Sequence, residues 1–514
     1  MKADTLDLEV FWRRLSGIAD EVAAALVRTS FSMIVRDAHD YSCAICDPCG
    51  DMLVQASHGN PSHIGALYST LKNVLRVYPC ASLRPGDVLV TNDPWIGNGH
   101  TPDFFVMTPV FTEGNVAGFV VTIVHHIDVG GRQSAAESRE IYEEGIRLGP
   151  LRLYREGQEN TDVFDIIGWN VRVPEKVIGD LRAQVSANHV GSRRIEAVVA
   201  DKGWGSLGPL GHELIDRTEH AMREAIARIP DGIYRAESAV DRHRGEPIVI
   251  RVAVEVRGSE IVIDYEGTSS QVDRAINVVF NYTNAHSIFA VKCMVARDLP
   301  NNEGCVRPIT VRAPLGSILN AEFPVAVAQR AQIGHVLPDV IFQALAPVVP
   351  GGVLAGSGSN PLWSNFMSGS FASGRRFMLY FAILGGLGAR AGVDGVSCLG
   401  FPANVSNTPI EVLEAEAPVI CEQKRLATDS AGRGQFRGGL GQDFTMTVRQ
   451  GAAAPRGQII ATLRGGHFEF PVQGILGGEP ARNGEILFNG TPLTTSQQLF
   501  LSPGFYIRLQ IAHE

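Results

Sequence analysis

The sequence predicts an α+β chain of several domains: an N-terminal α/β unit at residues 1–230, a mixed α/β middle unit at 231–355 and a β-rich unit at 356–514. Three observations carry this expectation. The 514 residues exceed the roughly 250 to 300 at which a single hydrophobic core stops growing. Apolar residues recur every three or four positions through much of the first 230. Beyond them, alternation with a period of two and repeated glycine pairs take over. A composition of 45% hydrophobic and 19% charged residues with 55 glycines fits a turn-rich globular protein.

Phe11, Leu15, Ile18, Val22 and Leu26 form one apolar stripe and predict a long first helix over residues 7–29. Residues 40–55 read as two short strands around Asp47-Pro48-Cys49-Gly50-Asp51, where proline and glycine supply turn dihedrals. Helical spacing resumes over 59–77. Arg84-Pro85-Gly86-Asp87 then turns the chain into an apolar strand at 88–91, which delivers a loop over 92–103. The strand at 119–124 ends at His125. Residues 162–229 are largely helical, with Ile166, Val171, Val177, Leu181, Val185, Ile195 and Val198 in register. Alternation over 232–267 marks a boundary near 230, and a Gly/Ser-rich stretch at 351–360 marks a second. The longest apolar run, 377–389, is too short for the ~20 residues that span a bilayer, so a buried element is expected. Gly432-Arg433-Gly434, Gly438-Gly439, Gly465-Gly466 and Gly477-Gly478 then separate short strands.

A net charge of −9 and a pI near 5.9 exclude a nucleic-acid binder, because no basic stripe is available for phosphates. Only six of the 45 basic residues are lysine, and none precedes Ser or Thr. A phosphate-binding lysine loop is therefore missing, and ATP, if used, is expected on another polypeptide. The acidic start, Thr5-Leu6-Asp7-Leu8-Glu9, lacks the pattern of a secretory signal. With eight cysteines this predicts reduced thiols in the cytoplasm. Cys43, Cys46 and Cys49, with Cys80 nearby, have a metal-like spacing, but Cys43 and Cys46 fit better as alternating side chains of a buried strand.

Six of the 14 histidines (His39, His58, His63, His100, His125 and His126) fall between residues 39 and 126. The densest part is Asn92-Asp93-Pro94-Trp95-Ile96-Gly97-Asn98-Gly99-His100-Thr101-Pro102-Asp103, followed by His125-His126-Ile127-Asp128-Val129-Gly130-Gly131. His100 and Asp103 can point into one cavity, with His125 reaching it from the end of the next strand. Two imidazoles plus carboxylates leave coordination positions open, which suits a catalytic divalent metal. The competing reading is a set of hydrogen-bonded loop residues around a tight turn. Residues 432–441 likewise read either as a phosphate cradle using Arg433 and Arg437 or as a glycine-turned hairpin with solvated arginines.

Several ordered motifs resemble the hydantoinase B/oxoprolinase family over nearly the whole chain. They are Arg36-Asp37-Ala38-His39-Asp40-Tyr41-Ser42-Cys43-Ala44, the two segments just described, Glu143-Glu144-Gly145-Ile146, Asn302-x-Gly304-Cys305-x-Arg307-Pro308, Pro314-x-Gly316-Ser317-x-Leu319-Asn320 and Gly434-x-Phe436-Arg437-Gly438-Gly439-Leu440-Gly441. Members of that family open hydantoins, 5-oxoproline and other lactams, and relatives carboxylate acetone or acetophenone. The resemblance implies Asp40, His100, Asp103 and His125 as ligands of one divalent transition metal (zinc, manganese or iron), Asp40 entering through the resemblance alone. His126 and Asp128 are then candidates to move protons.

The expected activity is that of a metal-binding subunit of an ATP-dependent cyclic-amide hydrolase. In it, water acidified by the ion attacks a substrate phosphorylated by a hydantoinase A-type partner within a hetero-oligomer. The alternative is an ATP-dependent ketone carboxylase. Two departures from the family pattern bear on substrate and partner docking. The sequence ends without the usual glycine-rich tail, and residues 132–135 lack a Pro-Gly-Ser element.

Overall fold

The computed structural model describes residues 5–132, 137–202, 205–451, 454–493 and 495–510. Most of the 132–135 segment, and the end of the chain, lie outside them. The first elements are α1 (Thr5–Thr29), α2 (Met33–Arg36), β1 (Tyr41–Cys46), β2 (Met52–Gln55), α3 (Pro61–Val77), β3 (Val88–Thr91), β4 (Asp103–Thr112) and β5 (Asn115–His125). Next come β6 (Leu151–Arg155), β7 (Gln158–Glu159), α4 (Thr161–Asn170), α5 (Pro174–Lys202) and α6 (Gly208–Ile226). The strands form one seven-stranded sheet in the order β2-β1-β5-β4-β3-β6-β7.

Alternation along its central strands buries both faces. Tyr41, Cys43 and Ile45 of β1 join Leu15, Val22 and Ala187 in one core, while Ala44 and Cys46 join Ile64, Leu67 and Leu71 of α3 in another. The first two cysteines of the metal-like spacing thus point to opposite faces of a strand, as the buried-strand reading expects. Helices α1 and α5 cover one face and α3 the other.

The middle of the chain folds as β8 (Gly232–His243), β9 (Glu246–Arg257), β10 (Glu260–Asp264), α7 (Phe280–Val295), β11 (Ile309–Arg312), α8 (Ala331–Gly334) and α9 (Leu337–Leu345). These strands make a four-stranded sheet, β11-β10-β9-β8, against which α9 packs. Helix α7 lies against α3, so close that a Cβ on Gly65 would stand 2.4 Å from the Cβ of Ala285. Glycine at that position lets the two helices meet backbone to backbone.

The remaining elements are β12 (Trp363–Ser370), β13 (Arg376–Ile383), α10 (Ile410–Glu416), β14 (Val419–Leu426), β15 (Gln442–Val448) and β16 (Ile459–Leu463). They are followed by β17 (Glu485–Phe488), β18 (Thr491–Leu493), β19 (Gln497–Leu501) and β20 (Tyr506–Gln510). Two sheets result, β13-β12-β16-β19 and β14-β15-β20-β17-β18. The long apolar run is largely β13, buried on both faces. Phe377, Leu379 and Phe381 face Trp363 and Phe444, whereas Met378, Tyr380 and Ala382 pack on Phe104 and Val106 of β4. That second contact fixes the C-terminal sheets over one end of the N-terminal sheet. The glycine-rich stretch at 432–441 is an irregular connection between the paired strands β14 and β15, with Arg433 and Arg437 exposed.

No helix among the described residues is long and apolar enough to cross a membrane.

Candidate metal centre

Strand pairing brings the motif residues together. Asp103 opens β4 and is the direct partner of His125, which closes β5. Asp40 immediately precedes β1, whose first residue Tyr41 pairs with Val124, and the His125 N–H donates to the Asp40 carbonyl at 3.2 Å. Three neighbouring strands therefore end at one point, each with a potential ligand at its tip.

His100 arrives on the preceding loop, which is tied down from several sides. Asn92 Nδ2 donates to the carbonyls of Thr101 (2.6 Å) and Ile146 (3.0 Å), and its Oδ1 accepts from Leu148 N (2.6 Å). From the middle of the chain, Asn281 Nδ2 donates to the carbonyls of Trp95 and Ile96, each at 3.1 Å. Gly99 has φ +82°, and a Cβ there would meet Arg330 Cδ at 2.8 Å, so both the turn and the passing arginine require glycine.

Donor atoms of His100, Asp103 and His125 all lie within 4.8 Å of one another, and all three residues are buried. His100 Nε2 stands 2.8 Å from Asp103 Oδ1, yet the two are not aligned for a hydrogen bond, and neither atom has another partner. His125 Nδ1 is also unpartnered. Buried polar atoms are rarely left so, and His100 Nε2 facing Asp103 Oδ1, with a ring nitrogen of His125 in reach of both residues, fits a divalent ion bound among the three. The second oxygen of Asp103 is occupied: Oδ2 accepts from Asn98 Nδ2 (2.5 Å) and Arg330 Nη2 (2.9 Å). Asp40 Oδ1 accepts from Asn60 Nδ2 (2.9 Å) and stands 3.8 Å from His63 Nε2, which itself lies 3.4 Å from Asp103 Oδ2.

Protonation states agree with ligand chemistry. Burial first, and then the Arg330 charge, lowers His100 to about 4, so its imidazole is neutral at pH 7 with a lone pair to give. Burial and then His100 hold His125 well below the ordinary range. Burial raises Asp103, but His100 and His63 outweigh it and keep the carboxyl well below the usual range. Burial raises Asp40, opposed by His63.

His126 and Asp128, expected to move protons, do not line this cavity. Side chains alternate along a strand, so with His125 facing the cavity His126 faces away. Its Nε2 lies 3.0 Å from Gln184 Oε1, and its ring packs 4.5 Å from that of Phe104. Asp128 is consumed by Arg172, whose Nη1 approaches Oδ1 at 2.8 Å and whose backbone N–H donates to Oδ2. In their place the cavity is lined by His63, Tyr282, Arg330, His335, Phe366, Tyr380 and Arg464. All but His63 lie far from the motif in sequence, which is why local spacing does not reveal them. A second group of possible ligands, Asp47, Cys49 and His212, lies apart from this cavity, and two of its three members are exposed.

A sequence profile of hydantoinase B/oxoprolinase matches residues 4–511. The chain belongs to that family. It is 32% identical over 462 residues to a putative D-/L-hydantoinase subunit of Pseudomonas sp. (strain NS671), covering 86% of this chain and 77% of that one. It is 30% identical over 453 residues to the 5-oxoprolinase PfmaA of Pestalotiopsis fici, covering 84% of this chain but 35% of that longer protein. Among solved structures, the ATP-dependent caprolactamase from Pseudomonas jessenii superposes with a TM-score of 0.91 at 26% identity, covering 99% of this chain and 90% of that one. A nucleotide-free acetone carboxylase superposes with a TM-score of 0.88 at 18% identity, covering 98% and 74%, and so shares the fold. As a hydantoinase B/oxoprolinase member, the chain carries its convergent imidazoles and carboxylates at the junction of its N-terminal sheet, middle segment and C-terminal sheets.

Proposed function

We propose that this chain is the metal-binding subunit of an ATP-dependent cyclic-amide hydrolase, acting on a hydantoin, oxoproline or related lactam in a hetero-oligomer with a hydantoinase A-type partner. The observation that carries it is the convergence of donor atoms of His100, Asp103 and His125 in one buried cavity, where His100 Nε2 and Asp103 Oδ1 have no other partner. Zinc, manganese or iron held by these three residues, with Asp40 beside them, would acidify water and polarise a carbonyl or phosphoryl oxygen.

The chain's own groups then have distinct tasks. Arg330 and Asn98 hold one Asp103 oxygen and leave the other facing His100. Leu362, Phe366, Tyr380 and Val405 form the apolar side of the cavity, whose volume of about 30 Å³ holds a water or an ion and has to widen before a lactam ring enters. A lactam resists hydrolysis through amide resonance, and transferring phosphate to its oxygen breaks that resonance before water attacks. That transfer is assigned to the partner, since no lysine here precedes Ser or Thr. Similarity to a hydantoinase subunit and to an ATP-dependent caprolactamase supports hydrolysis over ketone carboxylation. We assign its action to the cytoplasm, and eight free thiols fit a reducing compartment.

The test is co-purification with the neighbouring subunit, followed by ATP turnover and product analysis over a panel of lactams, hydantoins and ketones. Ring opening that needs ATP, both chains and a bound divalent ion is the expected result. Carboxylated ketone as the sole product, or ring opening by the partner alone, would refute the proposal.

A further inference from the structure

Arg464 stands in the wall of the same cavity. Among the described residues it makes no ion pair, whereas Arg330 on the same cavity pairs with Asp103 Oδ2 at 2.9 Å. Its Nε is shielded from solvent and has no hydrogen-bond partner, and its Nη1 reaches only Ser364 Oγ at 3.4 Å. The nearby Glu144 acts on it only through space: its carboxyl oxygens accept backbone N–H groups of Val327 and Ala328 and form no hydrogen bond or ion pair with the guanidinium. The side chain is nonetheless held in place. Its backbone N–H donates to Asn365 Oδ1 at 2.9 Å, and the guanidinium sits 5.1 Å from the centre of the Phe366 ring. A placed guanidinium with unmet N–H groups is a ready anion receptor, since Nε and Nη offer a planar fork that matches two oxygens of one group.

The charge of the cavity points the same way. Two carboxylates, Asp40 and Asp103, and two guanidiniums, Arg330 and Arg464, line the cavity. A divalent ion would therefore leave the cavity with a positive excess. An unactivated lactam is neutral and has no use for it, whereas a phosphorylated amide oxygen brings negative charge.

Resting on the hydrolase reading above, we propose that Arg464 is the residue that receives the phosphoryl oxygens of the activated substrate, so that the cavity selects the phosphorylated form over the free lactam. Water adds to the activated imidate carbon and the ring C–N bond breaks, both water protons passing to nitrogen; a second water then releases phosphate from the acyl phosphate that remains. Arg464 donates hydrogen bonds to the departing phosphate and transfers no proton.

Two measurements test this. In the isolated, metal-loaded chain, inorganic phosphate is titrated by calorimetry against wild type, Arg464→Gln and Arg464→Lys. Losing a charged hydrogen-bond donor should weaken phosphate about ten- to a hundred-fold in Arg464→Gln, with Arg464→Lys intermediate. In the assembled complex, Arg464→Gln should consume more ATP per ring opened, because phosphorylation on the partner continues while capture here fails. A misfolded variant is recognised by loss of bound metal, in which case the Arg464→Lys comparison decides. Equal phosphate affinity in all three proteins would overturn the assignment. So would acetate binding more tightly than phosphate through Arg464, which would make the received group a carboxylate. If the wild-type complex opens no lactam, the hydrolase reading fails while the phosphate titration still judges Arg464.

Discussion

At the residue scale the two oxygens of Asp103 do different work, and this changes how the centre should be probed. Oδ1 faces His100, while Oδ2 neutralises buried Arg330. Asp103→Asn therefore removes the charge of a candidate ligand and unpairs a buried cation together, which should cost roughly 3–5 kcal/mol of stability even without metal. Chemical denaturation of chelator-treated protein measures that cost. His125 separates the two effects better, because its Nδ1 has no protein partner. His125→Asn should lose most bound metal by elemental analysis while the chelator-treated protein loses less than about 2 kcal/mol. Full metal occupancy in a His100→Ala/His125→Ala double variant would remove this pair from the ligand set.

At the scale of elements, the ends of β1, β4 and β5 and the loop before β4 form one construction, and Asn92 is its main tie. Asn92→Ala should cost about 2 kcal/mol or more, since two buried backbone groups and one half-buried one lose their partner, and metal occupancy should fall with it. The glycines after His125 serve the same construction. Gly131 has φ +64°, and a Cβ on it would lie 2.3 Å from Gly145 N. Much of this is legible in the sequence. The stripe from Phe11 to Leu26 announces α1, the proline and glycine of residues 47–51 announce the hairpin, and the strand ending at His125 puts that imidazole at a sheet end. These are local signals. His63 falls in the histidine-rich region but outside the two motif segments, and Arg330, Tyr380 and Arg464 carry no local mark. Only tertiary packing brings them beside residues hundreds of positions away. His126 misleads for a related reason: adjacency in sequence suggests a shared task, while strand alternation sends neighbours to opposite sides.

At the scale of the whole molecule, burial keeps a group of imidazoles uncharged. His100 is lowered to about 4 and His335 to about 3, burial being the first cause in each, and His125, His126 and His286 are lowered in the same way. An unfolded chain binds protons at these sites near pH 6.5, whereas the folded chain binds them only near the lowered values. At these five sites the unfolded state thus holds more protons across that window, which lowers stability as pH drops from about 6.5 toward 4, opposed in part by Glu144 and Asp339, which burial raises to about 8 and about 7. Thermal midpoints of chelator-treated protein at pH 7, 6 and 5 should decline step by step, and His335→Gln should flatten the decline. A slope unaltered by that change would assign the acid sensitivity to other groups. The cavity also draws on all three parts of the chain: Asp40 and His100 come from the first sheet, Arg330 from the middle segment and Arg464 from the end of β16. During synthesis the imidazoles and carboxylates exist long before the arginine that closes the far wall. A nascent or truncated chain can therefore own every candidate ligand and still lack the finished chamber, which makes assembly of the centre a report on completion of the fold.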